Sequence, residues 1–247
     1  MQRVYTETLR IKSYQTDVNA RLRPAALLEM MQEAAGAHAE ILGIGRAALL
    51  EKNLVWILTR IEVRMTRYPV FGSTMTIETF PMPNRRWFFP RSFIFRDEDG
   101  NQIGCASSMW ALLDVNTRKM SKPDPVICFM PDNSDLTPPL GGMPATVAEA
   151  AGIPVIAVYH PVYTDLDMNQ HVNNTRYLDW CCNALGLDVM KSAVLSTFEL
   201  NYHQEVLPGQ EIRTELRCSE GQFSFSGFAD EVRRFDVGGI LTPIASI

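Results

Sequence analysis

Asp167, Asn169 and His171 stand at alternate positions directly ahead of a helical pattern in a chain of 247 residues. Together they supply an acceptor, an amide that both donates and accepts, and a ring that titrates near neutral pH. The first N–H groups of a helix lack internal partners, and the helix dipole is positive there. A carbonyl oxygen gaining negative charge would be stabilised at such a spot. The set therefore suits acyl transfer or hydrolysis. It also suits a plain turn, with Asp167 and Asn169 holding backbone amides and His171 a packed loop histidine. These residues alone do not choose between the two. Other chemistry has less to work with. The histidines (His38, His160, His171, His203) show no metal-ligand spacing. The chain also lacks G-x-S-x-G, H-E-x-x-H and the phosphate- and dinucleotide-binding glycine motifs, so no metal and no cofactor is called for.

The elements that would position this set fall into two similar halves. Seven of fifteen prolines lie between Ser121 and Pro154, with Gly141-Gly142 among them. No long helix or strand runs through such a stretch. It reads as a linker over 121–153, with a short helix at Ala145–Ala151, between units at 1–120 and 154–247. Asp17-Val18-Asn19-Ala20-Arg21-Leu22 echoes Asp167-Met168-Asn169-Gln170-His171-Val172 at a spacing of 150. Ile61-Glu62-Val63 echoes Phe198-Glu199-Leu200 at a spacing of 137. Two echoes in one order imply an internal duplication.

Each half has one long helix. Pro24–Leu42 carries an apolar stripe through Leu27, Leu28, Met31, Ala34, Ala35, His38 and Leu42, with Pro24 at the first helical position. Thr175–Leu187 has Asn173 or Asn174 as N-cap and Gly186 as stop, and its apolar residues on nearly all sides predict burial. Alternating strands come after each helix. The first half gives 57–65, with Ile57, Ile61, Val63 and Met65 on one face, then 74–80, 87–96 and 102–115. The second gives 194–202, 211–218 and 222–228. Strand, helix and then several antiparallel strands, twice over, predict an α+β chain in which curved sheet wraps a helix in each half.

Composition sets further limits. Net charge is −5 and hydrophobic residues make up 46%, the balance of an ordinary globular chain. An acidic chain of this kind is a poor match to nucleic acid. No apolar run reaches the roughly 18–20 residues of a membrane span. The amino-terminal residues lack the apolar core of a signal peptide. Five cysteines without a C-x-x-C fit reduced thiols, so a cytoplasmic setting is expected.

The run Thr164-Asp165-Leu166-Asp167-Met168-Asn169-Gln170-His171-Val172-Asn173-Asn174 closely resembles the signature of acyl-[acyl carrier protein] thioesterases. Tyr202-His203-Gln204-Glu205-Val206 resembles a second, more degenerate block of that family, Tyr-Arg-Arg-Glu-Cys. The likeness extends over the whole chain. It implies a tandem hotdog fold, hydrolysis of fatty acyl thioesters of the acidic acyl carrier protein, and an active site in the carboxyl-terminal repeat. The family's Asp, Asn, His and Glu fall on Asp167, Asn169, His171 and Glu205. Plant members carry a cysteine where this chain has Val206, so a covalent thioester at that position is excluded. Water is then the expected nucleophile, with Glu205, alone or with His171, as general base. Asn169 would orient water or carbonyl, Asp167 would hold Asn169, and the amides of Val172–Thr175 would receive the oxyanion.

In the first repeat Arg21 and Tyr68 stand where His171 and Glu205 stand in the second. Arginine stays protonated and tyrosine titrates too high for a base. That half is expected to supply the acyl pocket instead, with Leu27, Met30, Met31, Trp56, Trp87, Phe88, Phe89 and Trp110 as lining candidates. Arg85 and Arg86 are the candidates for docking the acidic carrier. Three other readings remain: an acyl-CoA thioesterase, a hydratase of the same fold and a non-catalytic acyl-binding protein. His171 comes four positions after Asp167 rather than the hydratase's five, which counts against that one. A bacterial source is implied, and both a monomer and a homodimer fit.

Overall fold

A computed structural model describes residues 1–244 of the chain. The last residues of the expected second unit, 245–247, lie outside the described residues. Alternating apolar residues build strands β1 (Tyr5–Arg10), β2 (Leu54–Met65), β3 (Thr74–Pro81), β4 (Phe88–Arg96), β5 (Gln102–Asp114) and β6 (Met120–Ser121) in the first half. The second half adds β7 (Val155–Tyr159), β8 (Ala193–Tyr202), β9 (Ile212–Ser219), β10 (Gln222–Ala229) and β11 (Val232–Pro243). All pair antiparallel in one sheet of order β1-β3-β4-β5-β2-β8-β11-β10-β9-β7, with β6 on β5.

The helices α1 (Pro24–Ile41) and α4 (Arg176–Leu185) lie side by side against the inner face. Short helices α2 (Arg46–Leu50), α3 (Asp124–Ile127) and α5 (Leu187–Ser192) complete the chain. Arg23 pairs with Asp179 at 3.0 Å, and Gln32 Nε2 donates to Asn174 Oδ1 at 2.7 Å across the two long helices. Leu27, Leu28 and Met31 of α1 share one apolar core with Tyr177, Leu178 and Cys181 of α4. This is a tandem hotdog, as expected. No helix among the described residues is long and apolar enough to cross a membrane.

The second sequence echo is the seam between the halves. Ile61, Glu62 and Val63 of β2 pair with Leu200, Glu199 and Phe198 of β8, so Glu62 stands directly opposite Glu199. Glu62 is 3% exposed, and the linker covers it: Ala145 N–H donates to Glu62 Oε2 at 2.8 Å. Burial, reinforced by the Glu62 charge, lifts the Glu199 carboxyl to about 7. A carboxyl whose folded value is raised holds its proton more tightly folded than unfolded. Its contribution is therefore fully present below about 4.5 and is lost as pH rises through about 7. Glu199→Gln should raise stability at pH 8 relative to pH 5, by on the order of 1 kcal/mol after solvent screening. Urea unfolding at the two pH values tests this, and an equal effect at both would refute it.

Several sequence readings need correction. The short helix at 145–151 is absent. That segment runs extended across the outer face of the sheet, with Ala150 N–H bonded to Ser224 Oγ at 2.9 Å. Amides that bond to the sheet cannot also close helical turns. A bulge between Leu58 and Arg60 shifts the register of β2, so Ile57 does not share the face of Ile61. Leu58, paired with Trp110, takes that place. Helix α4 is buried on one side only, because on the other Arg176 and Asp179 are half-buried and Asn183 is exposed. The expected linker packs onto the first unit where it begins. There β6 pairs back onto β5, and Val126 of α3 is fully buried beside Leu42 and Leu49.

Candidate active site

The two D-x-N turns have the same construction. In the second half Asp167 Oδ1 accepts from the backbone N–H of Asn169 at 2.8 Å and of His171 at 3.3 Å. In the first half Asp17 Oδ1 does the same for Asn19 and Arg21, at 2.8 and 2.9 Å. Each turn has a non-glycine residue in the left-handed region, Ala20 at φ 57° and Gln170 at φ 62°. Both aspartates are therefore turn residues first.

The tie that follows each turn is also shared, Leu22 N–H donating to Pro69 O at 2.8 Å in the first half, and the halves diverge in the side chains around it. Val172 N–H donates to Val206 O at 2.9 Å and ties the second turn to the segment after β8. That tie sets His171 Nδ1 3.4 Å from Glu205 Oε2. The imidazole and the carboxylate are half-buried and face each other, with side-chain exposures of 31% and 37%, so solvent reaches both. His203 Nε2 bonds Asp236 Oδ2 at 2.8 Å and pins the end of β8, from which the Glu205 loop departs. Beneath the pair, Tyr177 is buried in α4 and bonds the Val206 backbone; its phenol is pushed well above its ordinary value by burial.

Two arginines of the first half reach this place, and sequence reading missed both. Arg46, at the start of α2, donates through Nη2 to Asn169 Oδ1 at 3.1 Å. Arg118, in the turn between β5 and β6, forms an ion pair with Glu205. They lie 123 and 87 residues away in sequence. Only the closure of the two halves brings them in. The one available signal was a basic stretch, Arg118-Lys119, without a partner.

The equivalent place in the first half is plugged. Arg21 Nη2 donates to Met190 O, and Asn19 Nδ2 to Lys191 O, both at 3.0 Å. Tyr68 is buried and gives its hydroxyl proton to Leu195 O at 2.8 Å. The space beside Arg21 and Tyr68 is about 10 Å³, room for a single water at most. A larger groove of about 970 Å³ lies between Asp17, Tyr159 and Asp179 and includes none of Asn169, His171 or Glu205.

The expected oxyanion amides are mostly engaged. Val172 N–H serves Val206 O, Asn173 N–H serves Asp165 O at 2.8 Å, and Thr175 N–H serves Asn173 Oδ1 at 3.0 Å. Neither Asn173 nor Asn174 is the N-cap that the sequence suggested: Thr175 holds that position without a side-chain cap, and Asn173 Oδ1 accepts from Thr175 N–H and Oγ1 in the turn just before the helix. A turn that satisfies its own amides leaves few of them for a ligand.

Among the pocket candidates Leu27, Met30, Met31 and Phe89 are buried, while Trp56, Phe88 and Trp110 are half-buried. Trp56 and Phe89 meet edge to face at 4.9 Å, and Trp56 Nε1 donates to Ile44 O at 2.9 Å. Trp87 is a correction: it sits 39% exposed in the β3–β4 hairpin, outside the strand, and does not line the interior. A turn residue just ahead of a strand is free of the alternation that buries Phe89. Arg85 and Arg86 share that hairpin and are exposed, Arg86 at φ 58°. The interior of the second half is filled by stacked aromatics, Tyr177 lying 4.0 Å from Phe235 with Trp180 and Phe225 around them. Among the described residues no group of His, Cys, Asp and Glu could hold a metal ion.

Residues 2–128 match the model of the acyl-ACP thioesterase N-terminal domain, and residues 150–237 match that of its C-terminal domain. The chain belongs to the acyl-ACP thioesterase family. A chloroplastic palmitoyl-acyl carrier protein thioesterase of Gossypium hirsutum is 28% identical over 220 residues, which is 82% of this chain and 52% of that protein. A chloroplastic dodecanoyl-[acyl-carrier-protein] hydrolase of Cinnamomum camphora is 28% identical over 88% of this chain and 60% of its own length. The chain thus spans a little over half the length of these curated relatives. Among solved structures, an acyl-ACP thioesterase from Bacteroides thetaiotaomicron superposes with a TM-score of 0.85 at 25% identity, covering 97% of this chain and 98% of that one. The 12:0-ACP thioesterase of Umbellularia californica has the same fold, with a TM-score of 0.84 at 24% identity over 98% of each chain.

Proposed function

We propose that this chain hydrolyses the thioester of a fatty acyl-acyl carrier protein and releases the free fatty acid, with Asp167, Asn169, His171 and Glu205 as its site. One observation carries the reading. A carboxylate and an imidazole face each other 3.4 Å apart in one repeat, while arginine and tyrosine block the same place in its twin. Family membership supports the same conclusion.

Glu205 takes a proton from a water molecule, and the water oxygen bonds to the thioester carbonyl carbon. The carbon–sulfur bond then breaks, and the carrier thiolate leaves with a proton passed through His171. Acyl thioester and water become fatty acid and free thiol, with no covalent acyl-enzyme. Val206 offers no nucleophile beside Glu205. Asn169, held by Arg46 and by the Asp167 turn, presents its amide to the carbonyl. Arg46 places positive charge beside the developing oxyanion. The acyl chain is assigned to the first half, along Trp56, Phe89 and Trp110, because stacked aromatics occupy the interior of the second. The whole reaction is assigned to the cytoplasm, a setting that suits five free cysteines.

Release of free thiol from acyl-carrier and acyl-CoA substrates tests the proposal. Hydrolysis of the carrier-bound thioester is expected, and release from neither substrate would refute it. Exposed Arg85 and Arg86 are proposed to dock the acidic carrier. Reversing both, Arg85→Glu with Arg86→Glu, should raise KM for the acyl carrier substrate by about tenfold, an effect erased at high salt, with kcat retained. An unchanged KM would move the docking surface elsewhere.

A further inference from the structure

Arg91 is a cation buried without a counter-ion. It lies on the inner face of β4, 7% exposed, and the two side chains it bonds are both neutral. Nη1 meets His38 Nδ1 and donates to Thr79 Oγ1, each at 3.2 Å. The other ring nitrogen of His38 lies 3.1 Å from Gln2 O. The two contacts fix the tautomer. Nε2–H donates to the Gln2 carbonyl, and the Nδ1 lone pair accepts from Arg91. Burial and the Arg91 charge hold the His38 ring down at about 4, so it stays neutral and gives Arg91 no repulsion. Burial also pulls Arg91 down, to about 10, which still leaves it charged at neutral pH. No carboxylate reaches it among the described residues. Glu78, the nearest acid in sequence on the neighbouring strand, faces away and binds Arg96. Nε and Nη2 of Arg91 find no acceptor among the described residues.

A buried charge without a carboxylate partner is costly, and an acceptor carried in by a ligand would offset that cost. The surroundings say what that is. Arg91 lies two residues along β4 from Phe89, on the same face, and opposite Ser108 of β5. Ser108 Oγ accepts from Trp110 Nε1 at 2.8 Å, and Trp110 pairs with Phe89. Phe89 packs on Trp56, Trp56 bonds Ile44 O, and two residues on Arg46 bonds Asn169. A line of contacts through half-buried Trp56, buried Phe89 and half-buried Trp110 therefore runs from the candidate active site to the guanidinium. Its far end is polar, where a plain acyl pocket would be apolar.

We infer that Arg91, held by His38 and Thr79, is a binding site for a hydrogen-bond acceptor, best a carboxylate, at the far end of the bound acyl chain. The inference rests on the hydrolase reading above and adds a substrate class to it. Acyl chains ending in a carboxylate should be taken in preference to methyl-ended chains long enough to reach Arg91. A methyl-ended chain of that length strips the guanidinium of its remaining water and returns no hydrogen bond. A carboxylate supplies both charge and acceptors for Nε and Nη2.

The test is a length series of acyl-carrier thioesters, methyl-ended and ω-carboxylate-ended, read as the ratio of kcat/KM at equal carbon number. In the wild type the ratio should climb with length and favour the ω-carboxylate at one or more lengths. Arg91→Met should collapse it by tenfold or more, and Arg91→Lys should keep most of it. Thr79→Val, which removes one contact and no charge, gives a second variant should Arg91→Met fail to fold, and it should lower the ratio in the same direction. A ratio unchanged by these variants, or a wild type that favours methyl-ended chains at every length, overturns the inference. Binding of free alkanedioic acids against alkanoic acids, measured by calorimetry on wild type and Arg91→Lys, reads the site without hydrolysis. Loss of all thiol release with retained preference for the diacid would sink the hydrolase reading alone. Equal binding of the two acids would sink the acceptor site.

Discussion

Glu205→Gln should lower kcat by on the order of 10²–10⁴-fold, with KM held within a few-fold. The substitution keeps the size of the side chain and leaves an oxygen for Arg118. It removes the basic oxygen that faces His171 Nδ1 at 3.4 Å. The loss therefore measures proton transfer rather than packing. His171→Ala should fall in the same range, and the double variant should be little worse than either single one. Residues that act as one unit are not additive. Full kcat in Glu205→Gln, with native circular dichroism, would remove Glu205 from the chemistry and leave the family assignment standing.

Gly239→Ala should abolish folding or destabilise the chain by several kcal/mol, among the largest single-site effects. Gly239 of β11 pairs with Phe198 of β8 at closest approach. A Cβ there would fall on Thr197 O and lie 2.8 Å from Phe198 Cα, both backbone atoms that have no rotamer to escape into. β8 is also the strand that pairs with β2 across the seam and leads into Glu205. Any variant that survives should show reduced kcat as well, because β8 must shift to make room. Thermal unfolding and soluble yield check the first effect. A melting temperature within two or three degrees of wild type would show that β11 moves freely at this point.

Much of the fold was legible because local signals agreed. The stripe through Leu27, Met31, Ala34 and His38, with Pro24 ahead of it, predicts α1 to within a residue. Gly186, at φ 92°, stops α4 where expected. The Glu62 and Glu199 echo marked a duplication, and the halves join at those residues. Misreadings fell where contacts over long distance decided the outcome. Nothing near Thr59 announces a bulge. Its hydroxyl bonds Met109 O at 2.8 Å, on a strand that begins about forty residues later. The segment 145–151 has helix-forming alanines, yet Glu62 and Ser224 capture its amides and hold it extended.

The candidate site divides along the same line. The turn of Asp167 and Asn169, the place of His171 ahead of α4 and the lack of a cysteine beside Glu205 could all be read from the chain. They depend on residue type and short spacing, which set local backbone and available chemistry. Folding was needed to show that His171 and Glu205 face each other, that Arg46 and Arg118 reach them from the other half, and that Arg91 is buried without an acid. Each of those depends on how one curved sheet closes over two helices. Side chains more than eighty residues apart become neighbours only when that closure is complete, and no local pattern in the chain encodes the final distance between them.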